Sequence, residues 1–249
     1  MSSSRQEPGL PQPLPAPPRR RSDAGRVRLQ QRDLDGLLLA ADHYAAPYDL
    51  LAQALGVTPA RVRSLTARWR AAGYAVTGTV GPGPAWCWLT RDGMTACGHP
   101  WPARPPSLSR LAHVRAVLAA RLWLESGPAW AAGAAWWRSE RRIRAALPPP
   151  RVGTGHVPDA EVRWPSSPPG PYAGQTWAVE VELTPKPADR TARIMGGLLA
   201  RPGYAQVVYL TSPAARPVVT HTTEQLAPAQ RGRVAVRDLP PAAFLPALR

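Results

Sequence analysis

Apolar side chains recur every three or four residues from Asp33 onward, a spacing typical of amphipathic helices. The first run places four apolar residues on one helical face, namely Leu34, Leu37, Leu38 and Ala41. A second run, residues 48–55, gives another short helix an apolar face made of Leu50, Leu51, Ala54 and Leu55. The pattern therefore predicts two consecutive helices near the start of the chain.

A third helix is marked by how it begins. Gly56 supplies a turn, Thr58 an N-cap and Pro59 the first helical position. The helix is predicted to run to about Ala72 and to bury Val62, Leu65 and Trp69. Its other faces carry four arginines, a serine and no acid, so the polar positions of interest are Arg61, Arg63, Ser64, Arg68 and Arg70.

Two β-like runs, residues 74–80 and 85–89, follow the third helix and are joined by Gly-Pro-Gly-Pro. The order of helix, helix-turn-helix and hairpin over residues 31–98 resembles the winged helix-turn-helix family. That resemblance implies double-stranded DNA as the partner and a third helix that enters the major groove. Its five polar residues would then contact phosphates or guanine edges. A protein-docking role for the same domain is the alternative.

The second half of the chain begins after a Pro-rich linker, residues 100–106. A helix is predicted from Ser107 to about Ser126, with an apolar stripe of Leu111, Val114, Leu118 and Leu122. Another helix is predicted from about Ala129 to Leu147. Four arginines on it would line a DNA path or form a solvated face, namely Arg138, Arg141, Arg142 and Arg144.

Strand-like and helix-like runs then alternate over residues 157–164, 176–183, 188–200 and 205–211. In the second strand, the period of two puts Glu180 and Glu182 on one face, with Cα atoms ~6.6 Å apart. Asp159, at the start of the preceding strand, is placed to join them. Three carboxylates favour Mg²⁺ or Mn²⁺ over zinc. Such an ion would activate water, with Lys186, the only lysine of the chain, orienting it.

The same carboxylates allow two further interpretations. They would form the solvated face of an edge strand if Glu180 and Glu182 pair with Arg190 and Arg193 on the following helix. Alternatively, a nuclease-like fold would bind DNA without cleaving it. His156 is predicted to be a hydrogen-bonded turn residue rather than a ligand or base.

Pro158-Asp159, Glu180-Val181-Glu182 and Lys186 together resemble the PD-(D/E)xK nuclease superfamily. This resemblance implies a restriction-endonuclease-like α/β domain with Asp159, Glu180 and Glu182 as metal ligands and Lys186 as a catalytic residue. Glu140 falls where the superfamily often has a further acid on a helix. The chain departs from the pattern two residues after Glu180, where the superfamily has lysine and this chain has Glu182. Either Lys186 fills that role or the site does not cleave DNA.

The chain has a winged helix followed by the segments His156–Asp159, Trp177–Lys186 and Tyr204–Leu210. Together these are similar to the actinobacterial replication-relaxation family of plasmid and mobile-element proteins. The resemblance covers most of residues 31–212. It implies a DNA-binding protein of plasmid or mobile-element replication and relaxation, with metal-dependent cleavage by the C-terminal domain left open. The rival is a non-enzymatic transcriptional regulator whose nuclease-like domain binds only DNA or a protein partner.

The composition of the chain also indicates a polyanionic partner. The formal net charge is +15 and the isoelectric point is about 11.3, although arginine richness also arises from a GC-rich genome. Residues 1–30 are Pro-rich and basic and are predicted to be a disordered arm. The two cysteines match no metal spacing, and no run approaches the ~20 apolar residues of a membrane span. We therefore expect a cytoplasmic protein with no membrane contact, and a homodimer is left open.

The predicted fold class is mixed α/β (α+β). A winged helix-turn-helix domain over residues 31–98 is followed by a PD-(D/E)xK-like domain over residues 107–249, with a small central mixed sheet.

Overall fold

The computed structural model describes residues 29–80, 83–128, 130, 135–147, 155–167 and 169–244. It contains helices together with a three-stranded and a five-stranded sheet, so the predicted α+β class is confirmed. The predicted basic arm, residues 1–30, lies outside the described residues except for its last two positions. Among the helices that are described, none has the length and apolar character needed to cross a lipid bilayer.

The N-terminal part contains four helices and three short strands. In chain order they are α1 (Gln31–Asp42), β1 (Ala46–Pro47), α2 (Tyr48–Leu55), α3 (Pro59–Ala71), β2 (Ala75–Gly78), β3 (Trp86–Leu89) and α4 (Arg91–Ala96). The strands pair antiparallel in the order β1-β3-β2. The three predicted helices and the hairpin are confirmed. Strand β1 and helix α4 were not predicted, because two and six residues are too few to show a periodic pattern.

Helix α3 begins and packs as its sequence predicts. The Thr58 hydroxyl accepts a hydrogen bond from the Arg61 amide at 3.3 Å, and the predicted core residues Val62, Leu65 and Trp69 are all buried. Gly36 of α1 lies against the Trp69 indole so closely that a Cβ atom there would stand 2.4 Å from the ring. The absence of a side chain at Gly36 therefore allows α1 to pack directly against α3.

The buried face of α1 differs from the predicted one. Leu34 and Leu38 are only half-buried, whereas Asp33 is completely buried beside Leu37. Asp33 accepts hydrogen bonds from the Trp69 indole at 2.8 Å and from the Gln30 amide at 2.9 Å, and it pairs with Arg68. These donors satisfy the buried Asp33 carboxylate. The burial of an aspartate cannot be predicted from the periodicity of apolar residues.

The C-terminal part is built on the larger sheet. After a 3₁₀ turn, Leu108–Arg110, its elements are α5 (Leu111–Glu125), β4 (Trp136–Ser139), α6 (Glu140–Ala146), β5 (Ala160–Arg163), β6 (Thr176–Glu182), α7 (Ala188–Leu199), β7 (Gln206–Thr211), α8 (Arg216–Glu224), α9 (Pro228–Arg231) and β8 (Val234–Asp238), with a second 3₁₀ turn at Pro241–Ala243. The sheet order is β4-β5-β6-β7-β8. Neighbours from β4 to β6 are antiparallel, and neighbours from β6 to β8 are parallel. The sheet is therefore mixed.

The predicted helix from Ala129 to Leu147 is wrong at Trp136–Ser139, which is a strand that pairs with β5. Helix is found on both sides of that strand among the described residues, at Trp130 and at Glu140–Ala146. Trp137 faces the core while Trp136 is exposed, which is the alternation of a strand. Ser139 then caps α6 by accepting a hydrogen bond from the Arg142 amide. Pairing with β5 supplies the backbone partners that a sequence pattern cannot foresee.

The two parts of the chain pack against each other. Buried residues of both parts belong to one hydrophobic core, in which the predicted stripe of α5 contributes Leu118 and Leu122. Arg115 of α5 forms two hydrogen bonds with Asp49 of α2, one of them 3.0 Å long, and its Nε donates to the Phe244 carbonyl at 3.1 Å. The boundaries that we predict, residues 31–98 and 107–249, thus enclose one sheet each but share a core.

Candidate functional site

Asp159, Glu180 and Glu182 come together at the centre of the larger sheet. Ala160 of β5 is opposite Val179 of β6, so Asp159, which immediately precedes β5, lies beside Glu180. On the other side, Glu180 is opposite Tyr209 of β7. The fold therefore places Asp159, Glu180 and Tyr209 in one row across three neighbouring strands, as predicted for the two acids.

The edge-strand alternative for the two glutamates is wrong. Strand β6 lies between β5 and β7, and Glu180 and Glu182 are 1% and 5% exposed. Arg193, one of the proposed partners, instead approaches Asp189 of its own helix at 3.8 Å. The two glutamates are thus buried groups of the sheet interior, where an unpaired charge is costly.

Asp159 is held by two donors from different elements. Its Oδ2 accepts a hydrogen bond from the Val181 amide at 2.8 Å, and its Oδ1 lies 2.9 Å from His113 Nε2. His113 is on α5, so this contact links the helix to the sheet. The Asp159 carboxylate therefore has a partner at each oxygen.

The two glutamates are bound by other residues. Glu180 Oε1 lies 2.8 Å from His156 Nε2, so the prediction of a hydrogen-bonded His156 is confirmed. Glu182 accepts a hydrogen bond from the Lys186 ammonium four residues later. Each of the three acids thus has its own partner within the protein.

Burial is the main cause of the pKa shifts of Glu180 and His156. Desolvation, together with the negative charges of Asp159 and Glu182, raises the pKa of Glu180 well above its usual range. Desolvation also lowers the pKa of His156. Both shifts favour the uncharged forms of the two groups.

The pKa of His113 is shifted upward, in contrast to that of His156. Burial alone would lower its pKa, but the hydrogen bond and the negative charge of Asp159 outweigh burial and raise the pKa of His113 above 6.5. The protonated imidazole is therefore favoured by folding. Its contribution to stability is fully present below the pKa of the unfolded chain and is lost as pH rises through the folded-state pKa.

We expect His113→Gln to flatten the pH dependence of stability. Glutamine keeps a donor near Asp159 but cannot titrate, so the melting temperature should fall less between about pH 6 and about pH 8 than in the unaltered protein. Thermal unfolding followed by circular dichroism over this range measures the effect. His221→Gln, at an exposed position on α8, is the matched control. Identical pH profiles for His113→Gln and the unaltered protein would contradict the proposed pair.

The carboxylates do not fit the predicted Mg²⁺ or Mn²⁺ site as they are arranged. Their oxygen chemistry suits either ion. Within the described residues, however, no group of three His, Cys, Asp or Glu side chains has the placement needed to hold a metal. Asp159, Glu180 and Glu182 are instead directed to His113, His156 and Lys186. No chemical step through a metal ion follows from this geometry.

All four arginines predicted to line a DNA path or form a solvated face make contacts within the protein. Arg141 is buried and donates to the Ala41 and Pro102 carbonyls, and Arg142 donates to Asp42 at 2.7 Å. Arg138 pairs with Glu161 and Arg144 with Glu140. Arg141 and Arg142 therefore hold α6 against its surroundings, whereas Arg144 pairs within α6 and stays exposed.

Helix α3 presents a different surface. Arg61, Arg63, Ser64 and Arg70 are exposed, and no acid lies on the helix. Arg68 differs from the other arginines because its guanidinium pairs with the buried Asp33. Four of the five predicted DNA-contacting residues are therefore exposed. The fifth, Arg68, stabilises the N-terminal part through its pair with Asp33.

Sequence reasoning missed His113 and Tyr209. His113 stands between two apolar neighbours, Ala112 and Val114, which is a signal, but its partner Asp159 is 46 residues away. Tyr209 is buried, and its hydroxyl has no hydrogen-bond partner among the described residues. Burial, followed by the charges of Glu180 and Glu182, raises the pKa of Tyr209, so the phenol stays protonated beside the acids.

Comparison of the chain with protein-family models, with curated proteins and with solved structures finds no match.

Proposed function

We propose that the protein binds double-stranded DNA through the exposed face of α3 together with the β2–β3 hairpin. Support comes first from the fold of residues 31–89. Its element order and its β1-β3-β2 pairing agree with the winged helix-turn-helix expected from the sequence, in which the third helix enters the major groove.

The observation that carries the proposal is the charge of the α3 surface. Arg61, Arg63 and Arg70 are exposed without an acidic neighbour on the helix, and Ser64 lies among them. Guanidinium groups bind phosphates and the guanine edge in two-point contacts. The net charge of +15 adds a long-range attraction to polyanions.

The C-terminal part is proposed to support DNA binding or a partner contact without cleaving DNA. Its order, α5-β4-β5-β6-α7-β7 with α6 inserted after β4, contains the helix, strands, helix and strand expected of a PD-(D/E)xK core. The contacts of the acids favour a structural role, since His113, His156 and Lys186 already satisfy them. The proposed setting, plasmid or mobile-element DNA in the cytoplasm, rests on the resemblance of the sequence alone.

We expect the double variant Arg61→Ala/Arg63→Ala to bind DNA more weakly and with less salt dependence. Each lost phosphate contact should reduce the slope of log affinity against log salt by about one unit. Fluorescence anisotropy of a labelled duplex, titrated at several salt concentrations, measures both quantities.

The matched control is Arg190→Ala/Arg193→Ala on α7, which removes the same charge from another exposed helix. The control should retain the salt slope of the unaltered protein to within about half a unit. Equal losses in the two variants would show that net charge, not the α3 surface, accounts for binding and would contradict the proposal.

A further inference from the structure

A cavity lies on the opposite side of the larger sheet from α7. It has a volume of about 490 Å³, within the range of small-molecule sites in proteins. One wall is formed by β5 to β8, and the other by the end of α5 and the residues that follow it. None of the acids of the candidate site lines it, so it is a separate feature of the fold.

Aromatic rings dominate the lining of this cavity. The Trp164 ring centroid is 4.9 Å from Tyr172 and 5.1 Å from Trp177, and Trp130 lies 6.2 Å from Trp164. Trp123, on α5, is 43% exposed. Such rings provide flat apolar surfaces on which another flat ring can stack.

The polar groups of the lining are few and specific. Trp164 is 7% exposed, and its indole N–H is buried with no acceptor among the described residues. Because this donor is inaccessible even with the cavity empty, it is not available to a ligand there. Gln206 adds an amide, and among the described residues of the lining Arg237 alone is charged. The Arg237 side chain is exposed.

We propose that this cavity binds an unstacked nucleobase whose phosphate contacts Arg237. A base offers a flat ring for the aromatic residues and a polar edge for the Gln206 amide, and its phosphate matches the Arg237 cation. A purely apolar ligand would leave both Gln206 and Arg237 without a contact. The site is distinct from the α3 surface and does not depend on duplex binding there.

The test uses the full chain and a fluorescein-labelled oligothymidylate in an anisotropy titration. Trp123→Ala removes an exposed ring without opening the core, and Arg237→Ala removes the cation; each should weaken binding at least about fivefold. Gln206→Ala removes the amide of the lining and should also weaken binding. Arg190→Ala, an exposed arginine outside the cavity, is the control and should leave binding unchanged.

Two further arms identify the source of the base and separate this site from α3. Displacement of the labelled strand by thymidine monophosphate indicates a mononucleotide site, and no displacement indicates an unpaired base within a strand; both are expressions of the proposed chemistry. Arg61→Ala/Arg63→Ala should retain single-strand binding. Loss of that binding in this variant, or unchanged binding in all three cavity variants, would overturn the inference whatever the outcome with duplex DNA.

Discussion

Trp69→Ala is expected to lower the free energy of unfolding by about 4 kcal/mol, the typical cost of truncating a fully buried tryptophan. Trp69 is completely buried and joins α3 to α1. The substitution also removes the indole donor from Asp33, which is itself completely buried. Urea denaturation followed by circular dichroism measures the loss, and duplex binding through α3 should decline in parallel.

Two tryptophan variants serve as controls. Trp69→Phe keeps a ring in the core and removes only the N–H donor, so its cost should be smaller, about 1–3 kcal/mol. Trp123→Ala, at a position that is 43% exposed, should cost less than about 1 kcal/mol. A loss below about 1 kcal/mol for Trp69→Ala would contradict the packing of α3 on α1.

Arg115→Met is expected to lower the free energy of unfolding by about 2–3 kcal/mol. Arg115 is 2% exposed and connects α5 to Asp49 of α2 and to the Phe244 carbonyl. Methionine fills much of the same space but leaves these acceptors without their donor. Because Asp49 is partly exposed, water can replace part of the lost contact. The expected loss of stability is therefore smaller than for a fully buried ion pair.

The comparison for Arg115→Met is Arg144→Met. Arg144 pairs with Glu140 one helical turn away on the surface, and such pairs contribute only about 0.3–0.5 kcal/mol. Chemical denaturation of both variants should therefore give clearly different midpoints. Equal midpoints would mean that the contact between the two parts of the chain contributes little to stability.

The elements with strong local signals were predictable from the sequence. Helix α3 has a cap, a proline at its start and a regular apolar stripe, and strand β6 has clear alternation. Strand β4 was mistaken for helix because an Ala- and Trp-rich run has no decisive period, and only pairing with β5 fixes its conformation. The buried Asp33 was likewise missed, since its donors come from α3.

The candidate site was predictable in its membership but not in its contacts. The period of a strand predicts that Glu180 and Glu182 share a face, and the order of strands brings Asp159 beside them. Their partners could not be predicted, because His113 and His156 reach the acids from outside the strands. Through these partners each of the three acids is hydrogen-bonded within the protein.

The most direct test of the account is incubation of the purified protein with supercoiled plasmid, with and without Mg²⁺ or Mn²⁺, followed by gel electrophoresis. We expect retarded but intact plasmid in every lane, for the unaltered protein and for Glu180→Ala. Plasmid that migrates freely at every protein concentration would contradict DNA binding. Metal-dependent nicking or linearisation that Glu180→Ala abolishes would contradict the structural role of the acids and establish a nuclease.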